Sequence, residues 1–125
     1  MAIKVLVVDD TDHVRRMLCE MLQLDGFEVV GEASNGQEAI DKATETTPDV
    51  VVMDYKMPGI DGLTAATKIR ETRPDQGIVL YSAYLDEAIE QKAKDAGIAM
   101  CIGKVEGLNQ LERHLTEICR DLASS

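Results

Sequence analysis

Tryptophan is absent from this chain of 125 residues, and the other aromatics come to one Phe and three Tyr. Bases therefore find no stacking platforms, and the core has to be built from Val, Leu, Ile, Ala and Met. Basic residues are also scarce: 13 Lys and Arg stand against 23 Asp and Glu, for a formal net charge of −10. That balance repels phosphate backbones and anionic lipid surfaces, which argues against nucleic acid and membrane as direct partners. Proteins, cations and small anions that arrive with a cation remain. The three cysteines, Cys19, Cys101 and Cys119, form an odd set without C-x-x-C spacing. They read as small core residues in a reducing compartment rather than as a disulfide framework. No long apolar run exists either. The stretch Val5 to Val8 is cut off by Asp9-Asp10, short of a signal sequence or a membrane span, which places the protein in the cytoplasm.

What is present is a regular alternation of strand and helix signals within one domain-sized chain. Ile3 to Val8 is a first apolar run. Thr11 or Asp12 offers an N-cap, and Val14, Leu18, Met21 and Leu22 recur at helical spacing until Gly26. Phe27 to Ala33 reads as a second, weaker strand. Asn35 followed by Glu38 resembles a capping box for a helix with Ala39, Ile40 and Ala43 inward. Val50 to Met53, between Pro48 and Pro58-Gly59, reads as a strand buried on both faces that ends on Asp54. A third helix is expected from about Gly62 to Arg73, a fourth strand from Gly77 to Ser82, and a fourth helix through Ala88, Ile89, Ala93 and Ala96. Ile98 to Gly103 makes a fifth strand, and Leu108, Leu111, Leu115, Ile118 and Leu122 form the apolar stripe of a fifth helix.

Strands that alternate with helices over short connections imply a parallel sheet, right-handed crossovers and helices on both faces. The loops that follow the strands then meet at one end of the sheet, where open α/β folds bind ligands. Asp9, Asp10, Asp54, Ser82 and Lys104 all fall there. Read singly, each has a bland explanation: Asp54 as the strand's exit into solvent, Asp9-Asp10 as a helix cap, Ser82 as a turn residue, Lys104 as a solvated charge. Read together, they form a chemical set. Two unit charges about 4 Å apart at an effective dielectric near 20 repel by roughly 4 kcal/mol, so clustered carboxylates call for a cation. A hard ion with oxygen ligands is the natural one, and Mg²⁺ is favoured because it combines one or two carboxylates with phosphate oxygens and water. In such a setting Asp54 is a carboxylate nucleophile toward phosphorus, with Lys104 and Ser82 beside the transferring oxygens.

Asp9-Asp10, the segment Met53-Asp54-Tyr55-Lys56-Met57-Pro58-Gly59-Ile60-Asp61-Gly62, Ser82-Ala83 and Lys104 resemble the receiver domain of two-component response regulators over essentially the whole chain. The resemblance implies a flavodoxin-like, doubly wound five-stranded parallel sheet in the order 2-1-3-4-5 with five helices. It implies that Asp54 takes a phosphoryl group from a sensor histidine kinase or a phosphotransfer protein, and that the phosphorylated form changes its contacts with a downstream protein. Asp10, Asp54 and the backbone carbonyl of Lys56 would hold Mg²⁺, with Asp9 acting through water. Ser82 and Lys104 would contact the phosphoryl group. Two positions depart from the common pattern: Cys101 stands where receivers often carry an aromatic residue, and Val105 where a Pro commonly follows the lysine.

Residues 1–125 are expected to be one receiver domain without an output domain, catalysing only its own phosphorylation and dephosphorylation. The segments Val30-Gly31-Glu32-Ala33 and Asn35-Gly36-Gln37-Glu38-Ala39 look like receivers joined to LuxR-type DNA-binding domains, which makes an excised receiver the second reading. A flavin domain would want a Ser/Thr/Gly-rich phosphate loop where Asp9, Asp10 and Asp12 stand. A phosphatase of the haloacid dehalogenase type would want Thr in place of Val14. His13 and His114 read as exposed helix residues. Lys56 and Tyr84, each two residues beyond a site residue, should flank the path of a hydrolytic water and slow loss of phosphate from Asp54. Lys56→Asn and Tyr84→Ala are then expected to speed dephosphorylation in Mg²⁺, the double variant most. Equal rates across all three variants, measured by loss of the phosphorylated mass, would exclude shielding.

Overall fold

The computed structural model describes residues 2–82, 87–98 and 100–103, with the backbone alone described at Ser82 and at residues 100–103. The elements run β1 (Lys4–Val8), α1 (Asp12–Leu24), β2 (Glu28–Ala33), α2 (Gly36–Thr46), β3 (Val50–Asp54), α3 (Gly62–Thr72), β4 (Gly77–Ser82), α4 (Glu87–Asp95) and β5 (Met100–Gly103). The expected fifth helix lies outside the described residues. All strand pairs are parallel, and the sheet order is β2-β1-β3-β4-β5. Both the doubly wound class and the expected strand order hold.

Strand β3 lies at the centre of the sheet and is buried on both faces, as its apolar run predicts. All five of its residues, Asp54 included, are buried. It pairs with β1 through Val5↔Val50 to Val8↔Met53 and with β4 through Val50↔Gly77 to Asp54↔Tyr81. Successive residues of a strand point to opposite faces, and the core divides accordingly. Leu6, Val8, Val51, Met53, Ile78 and Leu80 pack with Ala39 and Ala43 of α2 and with Ala65, Ala66 and Ile69 of α3. Val5, Val7, Val50, Val52, Val79 and Tyr81 pack with Leu18, Cys19 and Leu22 of α1 and with Phe27. By the same alternation Asp9 and Asp54 continue the row of residues on the α1 side.

Local signals explain the helix ends. Thr11 occupies the N-cap of α1 in extended conformation, although its side chain makes no capping bond. After α1 the chain turns at Gly26, whose φ of +92° suits glycine. The Asn35 side chain accepts from the Glu38 N–H at 2.9 Å, as the capping-box spacing predicts. The reciprocal contact differs from the standard box, because the Glu38 carboxylate accepts from the Ser34 hydroxyl at 2.5 Å and the Asn35 amide at 3.1 Å. The Ser34 hydroxyl holds the Glu38 carboxyl below its ordinary range. Asp61 caps α3 by accepting from the Thr64 N–H at 2.7 Å.

Cys19 is 7 % exposed and faces the sheet, so the reading of this thiol as a core residue holds. Burial, and then the negative charge of Glu32, push the thiol up to about 11. Since the thiolate is the reactive form, it should be inert at neutral pH. With Cys101 and Cys119 replaced by Ser, the native chain is expected to take up iodoacetamide at pH 8 far more slowly than the urea-unfolded chain. Intact-mass spectrometry reads both rates, and equal rates would show that Cys19 is accessible.

Candidate functional site

Three carboxylates meet at the C-terminal end of the sheet. Asp9 and Asp10 follow β1, Asp54 closes β3, and one oxygen of each lies within 4.8 Å of the others. Asp10 is exposed, whereas Asp9 is 0 % and Asp54 3 % exposed. The reading of Asp54 as the strand's exit into solvent is therefore wrong: β3 ends inside the fold.

Asp9 is fixed on every side. Its N–H extends the β1–β2 ladder to the Ala33 carbonyl at 3.1 Å, and its Oδ1 accepts from the Thr11 N–H at 2.8 Å. Its Oδ2 accepts from the Tyr81 hydroxyl at 2.8 Å. Arg15, one turn into α1, donates to the Asp9 carbonyl at 2.9 Å, to Asp12 at 2.8 Å and to Glu32 at 3.1 Å. Arg15 thus ties the β1–α1 loop to the end of β2, its bond to the Asp9 carbonyl part-buried and its two carboxylate partners exposed. Asp9 does not cap a helical N–H of α1: its carboxylate takes the N–H of the N-cap residue Thr11, two residues on, and belongs to the cluster.

The loop after β3 is held from below. Met57 is 7 % exposed and sits in the core with Met53. Ile60 packs so closely on Gly36 that a Cβ there would lie 2.5 Å from its Cγ1. Gly59 has a φ of +81°, a conformation that glycine adopts without strain. Gly62 donates to the Tyr55 carbonyl at 2.7 Å, and Tyr55 donates to the Tyr81 carbonyl at 2.8 Å. The start of α3 is thereby docked on the backbone that carries Asp54. Lys56 is exposed on this loop.

The donor set fits a hard divalent cation. Three carboxylates supply anionic oxygen at one point, two of them desolvated, and their mutual repulsion falls when a cation sits among them. Such oxygens are the ligands that Mg²⁺ takes, and the exposed Asp10 leaves the cluster open to solvent on one side.

Of the remaining expected residues, Ser82 ends β4 with its backbone paired to Gly103, at the same sheet end. Its side chain lies outside the described residues, as do Lys104, Val105, Tyr84 and His114. Cys101 pairs with Leu80 on β5, and His13 is exposed on α1, as expected. Sequence reasoning missed Tyr81 and Arg15. A lone Tyr at the end of the apolar run Ile78 to Leu80 is a usable signal, since a buried phenol seeks a partner. Arg15 gave none beyond its closeness to Asp12.

The profile of the response regulator receiver domain family matches residues 5–116. The chain is 44% identical over 110 residues to the response regulator GacA of Pseudomonas syringae pv. syringae, which covers 87% of this chain and 51% of that protein. It thus spans about half the length of the curated relatives it matches. Among solved structures it is similar to a LuxR-family two-component response regulator from Aurantimonas sp. SI85-9A1, with a TM-score of 0.92, 30% identity and coverage of 97% of this chain and 87% of the other. It is similar also to the signal receiver domain of the response regulator NarL from Mycobacterium tuberculosis, with a TM-score of 0.89, 29% identity and coverage of 95% and 97%. The chain belongs to the response regulator receiver domain family, the phosphoacceptor signalling modules of two-component systems.

The Gly62 contact yields a test of how the loop is positioned. A Cβ at Gly62 would collide with the Asp54 carbonyl oxygen and approach Leu80 Cδ1 to 2.9 Å. Gly62→Ala is expected to destabilise the fold by about 1 to 3 kcal/mol, as overpacking does, despite alanine's better helix propensity. A Cβ at Gly59 meets nothing within 4 Å, so Gly59→Asn, which tolerates positive φ, should cost much less. Urea midpoints of the two variants check the order.

Proposed function

We propose that Asp54 is the phosphoacceptor of this receiver and that Asp9, Asp10 and Asp54, with the Lys56 carbonyl, form its Mg²⁺ site. The observation that carries this reading is the burial of Asp9 and Asp54 beside Asp10 at the C-terminal end of the sheet. Bound Mg²⁺ supplies positive charge that offsets the phosphoryl oxygens and the carboxylates. The chain's own residues do the rest. The carboxylate of Asp54 attacks phosphorus in line; a P–O bond forms as the P–N bond to the donor imidazole breaks, and its electron pair stays on the departing nitrogen. Parallel pairing to β1 and β4 on both sides fixes where that carboxylate stands. Lys104 and Ser82 are assigned to the phosphoryl oxygens.

The donor is a sensor histidine kinase or a phosphotransfer protein, and the phosphorylated chain alters its contacts with a downstream protein. Residues 1–125 act as one receiver unit in the cytoplasm whose only chemistry is on its own Asp54. Among the described residues no helix is long and apolar enough to cross a membrane.

Incubation with acetyl phosphate and Mg²⁺ should add the mass of one phosphoryl group. Asp54→Asn keeps the shape and removes the nucleophile, so the label should vanish. Asp10→Asn should weaken both Mg²⁺ affinity and labelling. Lys104→Ala should retain Mg²⁺ binding. Undiminished labelling of Asp54→Asn in intact-mass spectra would overturn the assignment.

A further inference from the structure

Beneath the carboxylates lies a residue that phosphoryl transfer does not use. Tyr81 is 0 % exposed, and its ring packs in the α1-side core with Val52 and Val79. Its hydroxyl sits 2.8 Å from Asp9 Oδ2 and 3.1 Å from the Val8 carbonyl oxygen. Asp9 Oδ1 is meanwhile held by the Thr11 N–H at 2.8 Å. A donor on each oxygen leaves the carboxylate little freedom to rotate. Tyr81 lies in register beside Asp54, so one residue of β4 touches the cluster through its side chain and borders it through its backbone.

A phenylalanine would fill the same apolar space, so what the hydroxyl adds is one proton facing two acceptors, Asp9 Oδ2 at 2.8 Å being nearer than the Val8 carbonyl at 3.1 Å. A phenol titrates at about pH 10, so at neutral pH the group is a protonated donor.

We propose that Tyr81 is a positioning residue for the cation site: its hydroxyl, together with the Thr11 N–H, holds the Asp9 carboxylate in the orientation that orders a water on a small divalent cation. The inference rests on the reading of Asp9, Asp10 and Asp54 as that site. It distinguishes between cations. Mg²⁺ demands near-octahedral geometry with short bonds, whereas Ca²⁺ accepts longer bonds and irregular coordination. A carboxylate freed to rotate should therefore penalise Mg²⁺ more than Ca²⁺. A merely electrostatic effect of the lost donor would act on both dications alike and leave their affinity ratio unchanged.

The test is titration of the full chain and of Tyr81→Phe with MgCl₂ and with CaCl₂, followed by amide chemical shifts. Outer partners of metal ligands commonly change affinity by about 10- to 100-fold, and a neutral donor to one of three carboxylates should lie at or below the low end. Tyr81→Phe is expected to weaken Mg²⁺ by about 3- to 10-fold and Ca²⁺ by less than about 2-fold. An unchanged Mg²⁺/Ca²⁺ ratio, whether both affinities fall or neither does, overturns the proposal while leaving the cation site standing. Absence of any saturable Mg²⁺ shift in the unaltered chain would overturn the site itself. Should Tyr81→Phe fail to fold, the unaltered chain labelled with ¹³C at the tyrosine Cζ carries the test, its signals assigned with Tyr55→Phe and Tyr84→Phe. The Tyr81 signal is expected to move saturably with Mg²⁺, and a stationary signal overturns the proposal.

Discussion

The constraint on which this structure depends is the repulsion among three carboxylates at one end of a parallel sheet, two of them shielded from water. Burying an ionised carboxylate without partners is costly, and desolvation alone would drive such groups toward protonation. The fold answers with donors: the Thr11 N–H and the Tyr81 hydroxyl on Asp9, and the Arg15 guanidinium on the backbone just behind it. These groups hold Asp9 in place while leaving the cluster's anionic charge for a cation to meet. That residual charge is what the proposed metal and phosphoryl site would use.

The rest of the chain serves rigidity at that point. A central strand paired on both sides cannot shift without breaking two ladders, so Asp54 is held by its backbone before any side chain touches it. Apolar burial supplies the means, at about 1.5 to 3 kcal/mol for each fully buried Val, Leu or Ile. Val50 to Met53 contribute to both faces at once. Gly62 extends the same logic to α3: only a residue without Cβ lets the helix start against the Asp54 carbonyl. The loop between them is anchored by Met57 and Ile60, so the exposed stretch around Lys56 rides on a fixed base.

Tyr81 and Arg15 connect these levels. Tyr81 belongs to the α1-side core by its ring and to the site by its hydroxyl, and Arg15 belongs to α1 by its backbone and to the β1–α1 loop by its guanidinium. Each converts packing of a helix or strand into orientation of Asp9. At Tyr81, where both partners are buried, loss of the hydroxyl costs more than the bond itself is worth, because the Asp9 oxygen is left buried and less well matched.

The sequence by itself determined the order and kind of the elements from β1 to β5, their parallel pairing, the burial of β3 on both faces and the gathering of Asp9, Asp10 and Asp54 at one sheet end. These follow from local periodicity, from turn residues such as Gly26 and Gly59, and from the rule that βαβ units put every post-strand loop on the same side. The Asn35-Glu38 cap was legible for the same reason, its parts being three residues apart. Tertiary structure alone decided that Asp54 is buried, that Tyr81 reaches across to a residue 72 positions earlier, and that Arg15 bridges to Glu32. Distance in sequence is the physical reason: strand pairing sets which residues share an edge, but whether a side chain spans to its neighbour depends on rotamers and packing that no local pattern encodes.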